Sequence, residues 1–167
     1  HQDQKPRLLI VEDDPDIRLG LGVFLRQDFE VSFADDAINC LQVARRESVD
    51  AFLLDLGLAV GDGLSVLDCL RETPDLADIP VVVLTGRESP GLECECLDRG
   101  ASRFLQKPAS HRAVLDALKS SLANRPDRTR VLIVDDDEDI CNAMQMILRR
   151  KSYEAVAARD GATALMA

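Results

Sequence analysis

Apolar residues gather in short, nearly continuous runs, and stretches with apolar positions at helical spacing lie between them. The run Asp50-Ala51-Phe52-Leu53-Leu54-Asp55 is the sharpest. A run that short and that apolar predicts a strand buried on both faces of a parallel sheet. Arg7–Val11, Phe29–Ala34, Ile79–Thr85 and Ser102–Leu105 read the same way. Helices are predicted from Pro15 through Ile17, Leu21, Phe24 and Leu25, over Asp36–Arg46, over Asp62–Arg71 with Leu64, Leu67 and Leu70 inward, over Gly91–Arg99, and over Ser110–Leu122 with Val114, Leu115 and Leu118 inward. Pro15 suits a first helical turn, and Gly100 suits a helix C-cap. Gly20 and Gly22 each weaken the first helix by roughly 1 kcal/mol relative to Ala, for which close packing on the sheet is the simple explanation. Strands alternating with helices through right-handed crossovers give an α/β fold, a doubly wound five-stranded parallel sheet of order 2-1-3-4-5. Its switch point falls between the first and third strands.

After the polar, proline-containing stretch 124–129 the pattern starts again. Arg130-Val131-Leu132-Ile133-Val134-Asp135-Asp136-Asp137-Glu138 repeats Arg7 to Asp14 almost residue for residue. Asp139-Ile140 echoes Asp16-Ile17, and Tyr153-Glu154 echoes Phe29-Glu30 with one residue inserted between. Asp160-Gly161 matches Asp36-Ala37, and no counterpart of the Asp55 strand follows before Ala167. The expected organisation is a tail or tag remnant over 1–6, a complete domain over 7–123, a linker over 124–129, and an incomplete second copy over 130–167. That copy would hold a first strand, a helix, a second strand and the start of a second helix. A fragment of that size is too small to close a core alone. Either a longer natural chain or another copy is therefore expected to shield its apolar face.

Composition narrows the function classes. The 167 residues carry a formal net charge of -10, and a surface this acidic repels phosphate backbones, which argues against nucleic-acid binding. No apolar run approaches the roughly 20 residues needed to span a bilayer, and no signal peptide opens the sequence, so a cytoplasmic location away from membranes is expected. Five irregularly spaced cysteines, Cys40, Cys69, Cys94, Cys96 and Cys141, read as reduced thiols. Cys94 and Cys96 lie two apart in a predicted helix, face different directions and make a poor metal pair.

The chemistry gathers at one rim. The first strand ends on Glu12-Asp13-Asp14 and the third on Asp55, while the fourth and fifth end at Thr85 and Lys107. Asp55 alone could be a strand-ending cap of the next turn; the arrival of the other groups at the same carboxyl edge points to a site. Adjacent carboxylates repel, so a cation is expected beside them. Glu12, Asp13 and Asp55 offer hard oxygen ligands without His or Cys, which selects Mg²⁺ or Mn²⁺ over zinc, and the backbone carbonyl of Gly57 could add a ligand. Asp55 is then a nucleophile toward phosphorus, forming an acyl phosphate. Thr85 could donate to a phosphoryl oxygen, Gly86 keeps access open, and Lys107 supplies a mobile point charge.

Four motifs carry a family resemblance: Leu-Ile-Val-Glu-Asp-Asp-Pro (9–15), Leu-Leu-Asp-Leu-Gly-Leu (53–58) with Asp62-Gly63, Val-Leu-Thr-Gly (83–86), and Gly-Ala-Ser-Arg-Phe-Leu-Gln-Lys-Pro (100–108). With them, residues 7–123 resemble the receiver domain of two-component response regulators, a flavodoxin-like fold. The resemblance implies that Asp55 accepts phosphate from a histidine kinase or histidine phosphotransfer protein, with Mg²⁺ on Glu12, Asp13 and Asp55. It also implies phosphate contact by Lys107, a Thr85–Phe104 switch pair, a cis Lys107–Pro108 peptide, and a signal read on the fourth helix, fifth strand and fifth helix by a downstream effector domain or protein. Such a receiver catalyses only its own phosphorylation and dephosphorylation, and it could act as a homodimer. The second copy resembles the first third of another receiver, with Asp135 and Asp136 as its acidic pair. Glu12 stands where Asp is more usual, Ala59 where Pro is common, and Gly86 where Ala is common, and none of these removes a required group.

Two rivals belong to other classes. An aspartate-nucleophile phosphatase of the haloacid dehalogenase type would carry a second Asp two residues after the nucleophile, where Gly57 stands. A receiver-like scaffold without phosphorylation would not need every charged group that this sequence keeps. His111, at the start of the last helix, reads as a surface residue rather than a phospho-carrier, since no nucleotide-binding glycine motif accompanies it.

Overall fold

Ala51, Phe52, Leu53 and Leu54 are all buried, and successive side chains enter two separate cores. Phe52 and Leu54 join one core, Ala51 and Leu53 the other, which is why this strand reads as apolar without alternation. The structure is a computed structural model that describes residues 5–125, 130–150 and 153–160. These residues fall into two compact units, divided in the sequence after Arg125.

The first unit runs β1 (Arg7–Val11), α1 (Pro15–Leu25), β2 (Glu30–Ala34), α2 (Ala37–Arg46), β3 (Ala51–Leu54), α3 (Gly63–Glu72), β4 (Val81–Thr85), α4 (Leu92–Asp98), β5 (Arg103–Gln106) and α5 (His111–Ala123). The sheet is parallel with order β2-β1-β3-β4-β5, as expected. One core packs Leu9, Val11, Phe52, Leu54, Val81 and Val83 against Cys40 of α2, Leu64, Leu67 and Leu70 of α3, and Cys96 of α4. The other packs Leu8, Ile10, Leu53, Val82 and Leu84 against Leu21 and Leu25 of α1 and Val114 and Leu118 of α5. Each fully buried large side chain contributes roughly 1.5–3 kcal/mol, so the central strands are the stable platform on which the rim stands.

Several boundaries shift by one or two residues for identifiable reasons. Asp36, Asp62 and Ser110 precede their helices as N-caps, accepting the N–H of Asn39, Leu64 and Ala113 respectively. Strand β2 starts at Glu30 because the N–H of Phe29 still donates to the Leu25 carbonyl. Strand β4 starts at Val81 because Ile79 turns back onto Leu76 and Pro80 has no N–H to donate. Gly100 follows α4 with φ 97°, the left-handed conformation its place demanded, and a Cβ there would meet Arg71. Gly22 is explained by packing, since a Cβ would lie 2.5 Å from the Phe33 ring; a Cβ at Gly20 would meet nothing within 4 Å, so the packing explanation fails there. Ile17, one of the apolar positions at helical spacing in α1, does not join the core. It is exposed and lines, with Gly20, Lys107 and His111, an open cavity of about 480 Å³ between α1 and α5.

The second unit holds β6 (Arg130–Val134), α6 (Glu138–Arg150) and β7 (Glu154–Ala158), with β6 and β7 parallel. Cys141, Ala155 and Ala158 are buried, whereas Leu132, Val134, Met144, Met146 and Ile147 are exposed. Residues 1–4 of the expected tail, 126–129 of the expected linker and 161–167 of the expected second helix lie outside the described residues. All five cysteines are free; Cys94 is exposed and Cys96 buried, on different sides of α4. No helix among the described residues is long and apolar enough to cross a membrane.

Candidate functional site

The sheet's hydrogen-bond ladder runs one residue past the strand ends and sets the rim residues in place. Glu12 N–H donates to the Ala34 carbonyl at 3.0 Å, Asp55 N–H to Val11 at 2.9 Å, and Lys107 N–H to Thr85 at 2.8 Å. Four consecutive crossovers therefore deliver Glu12, Asp55, Thr85 and Lys107 to one edge, where the side chains of Glu12, Asp55 and Lys107 meet. The Lys107 ammonium donates to Glu12 Oε2 at 2.7 Å and to Asp55 Oδ2 at 2.8 Å. This is the cation that the run of carboxylates required. It comes from 95 residues away in sequence for Glu12 and 52 for Asp55.

The remaining acceptor atoms are held by the backbone. Asp55 Oδ1 accepts the Gly57 N–H at 2.9 Å, Glu12 Oε1 the Asp14 N–H at 3.1 Å, and Asp13 Oδ2 the Ala59 N–H at 2.9 Å. Arg18 donates to the Glu12 carbonyl at 2.8 Å, a tether that the sequence did not suggest beyond a cation following an acidic run. Burial and charge then divide the two carboxylates. Burial pushes Asp55 up, but the hydrogen bonds from Lys107, Gly57 and Thr85 and the nearby ammonium outweigh it and hold Asp55 below the usual range. Burial dominates at Glu12, whose side chain is only 3% exposed, and raises it despite the Lys107 and Asp14 hydrogen bonds. Burial would lower Lys107; its bonds to Asp55 and Glu12 reverse that and raise it, so the ammonium stays charged. The result is an ionised, oriented carboxylate in a partly desolvated rim, the condition a carboxylate nucleophile needs.

The donor set fits a hard divalent cation in kind, since it is made of carboxylates with no nitrogen or sulfur. Among the described residues, however, no group of three or more acidic, His or Cys side chains stands gathered as a metal site. Lys107 occupies the place between Glu12 and Asp55, Asp13 is engaged with Ala59, and Gly57 meets Asp55 through its N–H. An ion held by Glu12 and Asp55 would share those oxygens with the ammonium.

Thr85 is fully buried, and its hydroxyl accepts the Arg87 N–H at 3.1 Å. Phe104 is half-buried against the core beneath α2, α3 and α4 and sits beside Val83 in the β4–β5 register, where Gln106 is the neighbour of Thr85. Gly86 leaves open room, as a Cβ there would come no closer than 3.9 Å to Lys107. The Lys107–Pro108 peptide is cis, and His111 is exposed and stacked on Phe24 with centroids 4.4 Å apart. Arg87 was not singled out from the sequence: its guanidinium lies 3.3 Å from Asp62 at the start of α3. In the second unit Asp135 N–H donates to Ala158 at 3.2 Å, Asp135 accepts from Asp137 N–H at 2.9 Å, and Asp136 is exposed.

Residues 8–119 match the response regulator receiver domain family. The chain is 37% identical over 121 residues to the transcriptional regulatory protein PrrA of Mycobacterium leprae, covering 72% of this chain and 51% of that protein. It is 26% identical over 152 residues to the sensor histidine kinase TmoS of Ectopseudomonas mendocina, covering 90% of this chain and 16% of that protein. Among solved structures it resembles the receiver domain of a Pseudomonas aeruginosa sensor histidine kinase, crystallised with a magnesium ion coordinated in its active-site cleft. That likeness has a TM-score of 0.66 and 27% identity, and covers 72% of this chain and 99% of that one. The chain spans about half the length of the curated regulators that it matches.

Proposed function

The chain belongs to the response regulator receiver domain family of two-component signalling, and from that membership we propose that Asp55 accepts a phosphoryl group from a histidine kinase or histidine phosphotransfer protein. Receiver domains are signalling modules that work with histidine kinases and effector domains, rather than enzymes with a turnover substrate. The observation that carries the proposal is the Lys107 ammonium placed between Glu12 and Asp55 at 2.7 and 2.8 Å.

In the proposed step an Asp55 carboxylate oxygen attacks phosphorus, the phosphorus–nitrogen bond of the donor phosphohistidine breaks, and its electron pair returns to the imidazole, which takes a proton from solvent. The depressed proton affinity of Asp55 keeps it ionised for attack, and the Gly57 N–H fixes one of its oxygens. Lys107 faces the added charge, about −1.5 to −2, without needing to move along the chain. Mg²⁺ or Mn²⁺, held by the Glu12, Asp13 and Asp55 carboxylates and the Gly57 carbonyl, would supply charge neutralisation at the phosphoryl oxygens. Thr85 then turns its hydroxyl to the phosphoryl group and Phe104 moves inward, shifting the population of the surface made by α4, β5 and α5. That surface would address a downstream effector or a second copy, in the cytoplasm. The wider organisation proposed is a tandem regulator: a receiver over 7–123, a linker over 124–129, and over 130–167 the first part of a second receiver with Asp135 and Asp136 as its acidic pair. Peptide mapping after acetyl phosphate treatment and borohydride reduction tests the acceptor. Conversion of Asp55 to homoserine is the expected product; conversion elsewhere, or none, rejects it.

A further inference from the structure

Asp55 is flanked by two loops, one leading from β3 to α3 and the other from β4 to α4, and one residue ties them together. Arg87 makes three connections. Its N–H donates to the Thr85 hydroxyl at 3.1 Å, its carbonyl accepts from Gln106 Nε2 at 3.4 Å, and its guanidinium pairs with Asp62 Oδ1 at 3.3 Å. Asp62 is in turn the N-cap of α3, so its backbone is fixed by the helix rather than free in the loop. The buried Thr85 hydroxyl at the end of β4 is thus braced by an amide whose own residue is strapped across to the neighbouring loop.

We propose that the Arg87–Asp62 pair is a positioning strap for the Thr85 hydroxyl: it holds the β4–α4 loop to the start of α3, so that Thr85 is kept at the rim, placed to turn its hydroxyl to the phosphoryl group that Asp55 receives. The proposal rests on the phosphoacceptor reading for its consequence but not for its geometry. Both partners are about half exposed, so the strap is weak and salt-sensitive by design of its position. A weak, reversible tie suits a loop that must move when charge arrives.

The test uses the whole chain and the variant Asp62→Asn, because Asn caps a helix as well as Asp and removes only the charge. Two readouts are taken: hydrogen exchange of the Arg87 amide in untreated protein, and the lifetime of the phosphoryl group after acetyl phosphate with Mg²⁺. Asp68→Asn, which removes an acid of the same helix paired instead with Arg99, is the control. The strap predicts that Asp62→Asn speeds Arg87 exchange and shortens the phosphoryl lifetime by about 2- to 5-fold each. Asp62→Glu restores both, 0.5 M salt (about a 4 Å screening length) erases the difference, and Asp68→Asn moves neither. Unchanged Arg87 exchange in Asp62→Asn, or an equal change in Asp68→Asn, overturns the strap. A wild-type chain that takes up no phosphoryl group overturns the acceptor reading instead, and the exchange readout still decides the strap.

Discussion

Arg7 lies opposite Glu30 and Val11 opposite Ala34 in β1–β2; Arg130 lies opposite Glu154 and Val134 opposite Ala158 in β6–β7. The likeness reaches the turn that follows. Asp14 caps α1 by accepting from Asp16 and Ile17 at 2.9 and 3.1 Å, and Asp137 caps α6 by accepting from Asp139 and Ile140 at 2.9 and 3.2 Å. What differs is the chemistry laid over this common backbone. Arg18 reaches back to the Glu12 carbonyl, while at the matching turn of the second unit the buried Cys141 thiol points to the Asp135 carbonyl at 3.4 Å. Glu12 is buried under Lys107, whereas Glu138 in the second unit pairs with the exposed Arg159 at 2.9 Å. Leu9 and Val11 are fully buried between β2 and β3, and their counterparts Leu132 and Val134 are 44% and 50% exposed. A local pattern is therefore enough to specify strand, cap and register. Assembling a reactive rim takes the long-range strands that bring Asp55, Thr85 and Lys107.

The contrast in burial predicts the largest effect. Phe52→Ala should cost about 3–5 kcal/mol by urea unfolding, because the ring is fully enclosed. Leu132→Ala should stay within about 0.5 kcal/mol, and a cost as large as that of Phe52 would mean the second unit has a closed core.

Removing the shared cation comes next. Lys107→Gln should destabilise by about 2 kcal/mol, since it leaves Glu12 and Asp55 facing each other with little water, and adding Glu12→Gln should recover part of the loss. Asp135→Asn, at the matching turn of the second unit, should change stability by less than about 0.5 kcal/mol. The pH dependence has a definite sign. Asp55 is held below its ordinary 3.8, so the stability it gains from Lys107 is full above that pH and fades as pH falls through the lowered value. Glu12 is raised above 4.5, so its ionisation opposes folding as pH rises through that region. The difference in stability between wild type and Lys107→Gln should accordingly shrink below pH 3.8. It should shrink again at high pH, once the raised Lys107, above 10.5, loses its proton.

The smallest effect sharpens the likeness rather than the difference. Asp14→Ala and Asp137→Ala should each cost about 1 kcal/mol of protection in the first turn of α1 and α6, read by amide exchange. Unequal losses would separate two caps that share one geometry.

Much of the first unit was legible in the sequence because its signals are periodic. Buried parallel strands leave unbroken apolar runs, and each run ended on the residue that the sheet then delivered to the rim: Glu12, Asp55, Thr85 and Lys107. Charge repulsion called for a cation beside the Glu12-Asp13-Asp14 run, and strand order brought Lys107 to that rim; its place between Glu12 and Asp55 is known from the structure. Long side chains acting across loops left no such trace. Arg71 reaches the carbonyls of Leu76, Ala77, Ile79 and Gly100, and Arg87 reaches Asp62, yet neither follows any spacing rule. Ile17 shows a related limit of periodicity: helical spacing marks a face, not where along the helix that face meets the sheet, and its turn borders an open cavity. The sequence grouped Glu12, Asp13 and Asp55 as one ligand set, whereas in the structure Asp13 accepts the Ala59 amide and Lys107 stands between Glu12 and Asp55.

The most direct measurement is the intact mass of wild type and Asp55→Asn after acetyl phosphate with Mg²⁺. One added phosphoryl group on wild type and none on Asp55→Asn is the predicted result. An equal gain on both chains would contradict the assignment of Asp55 as the acceptor.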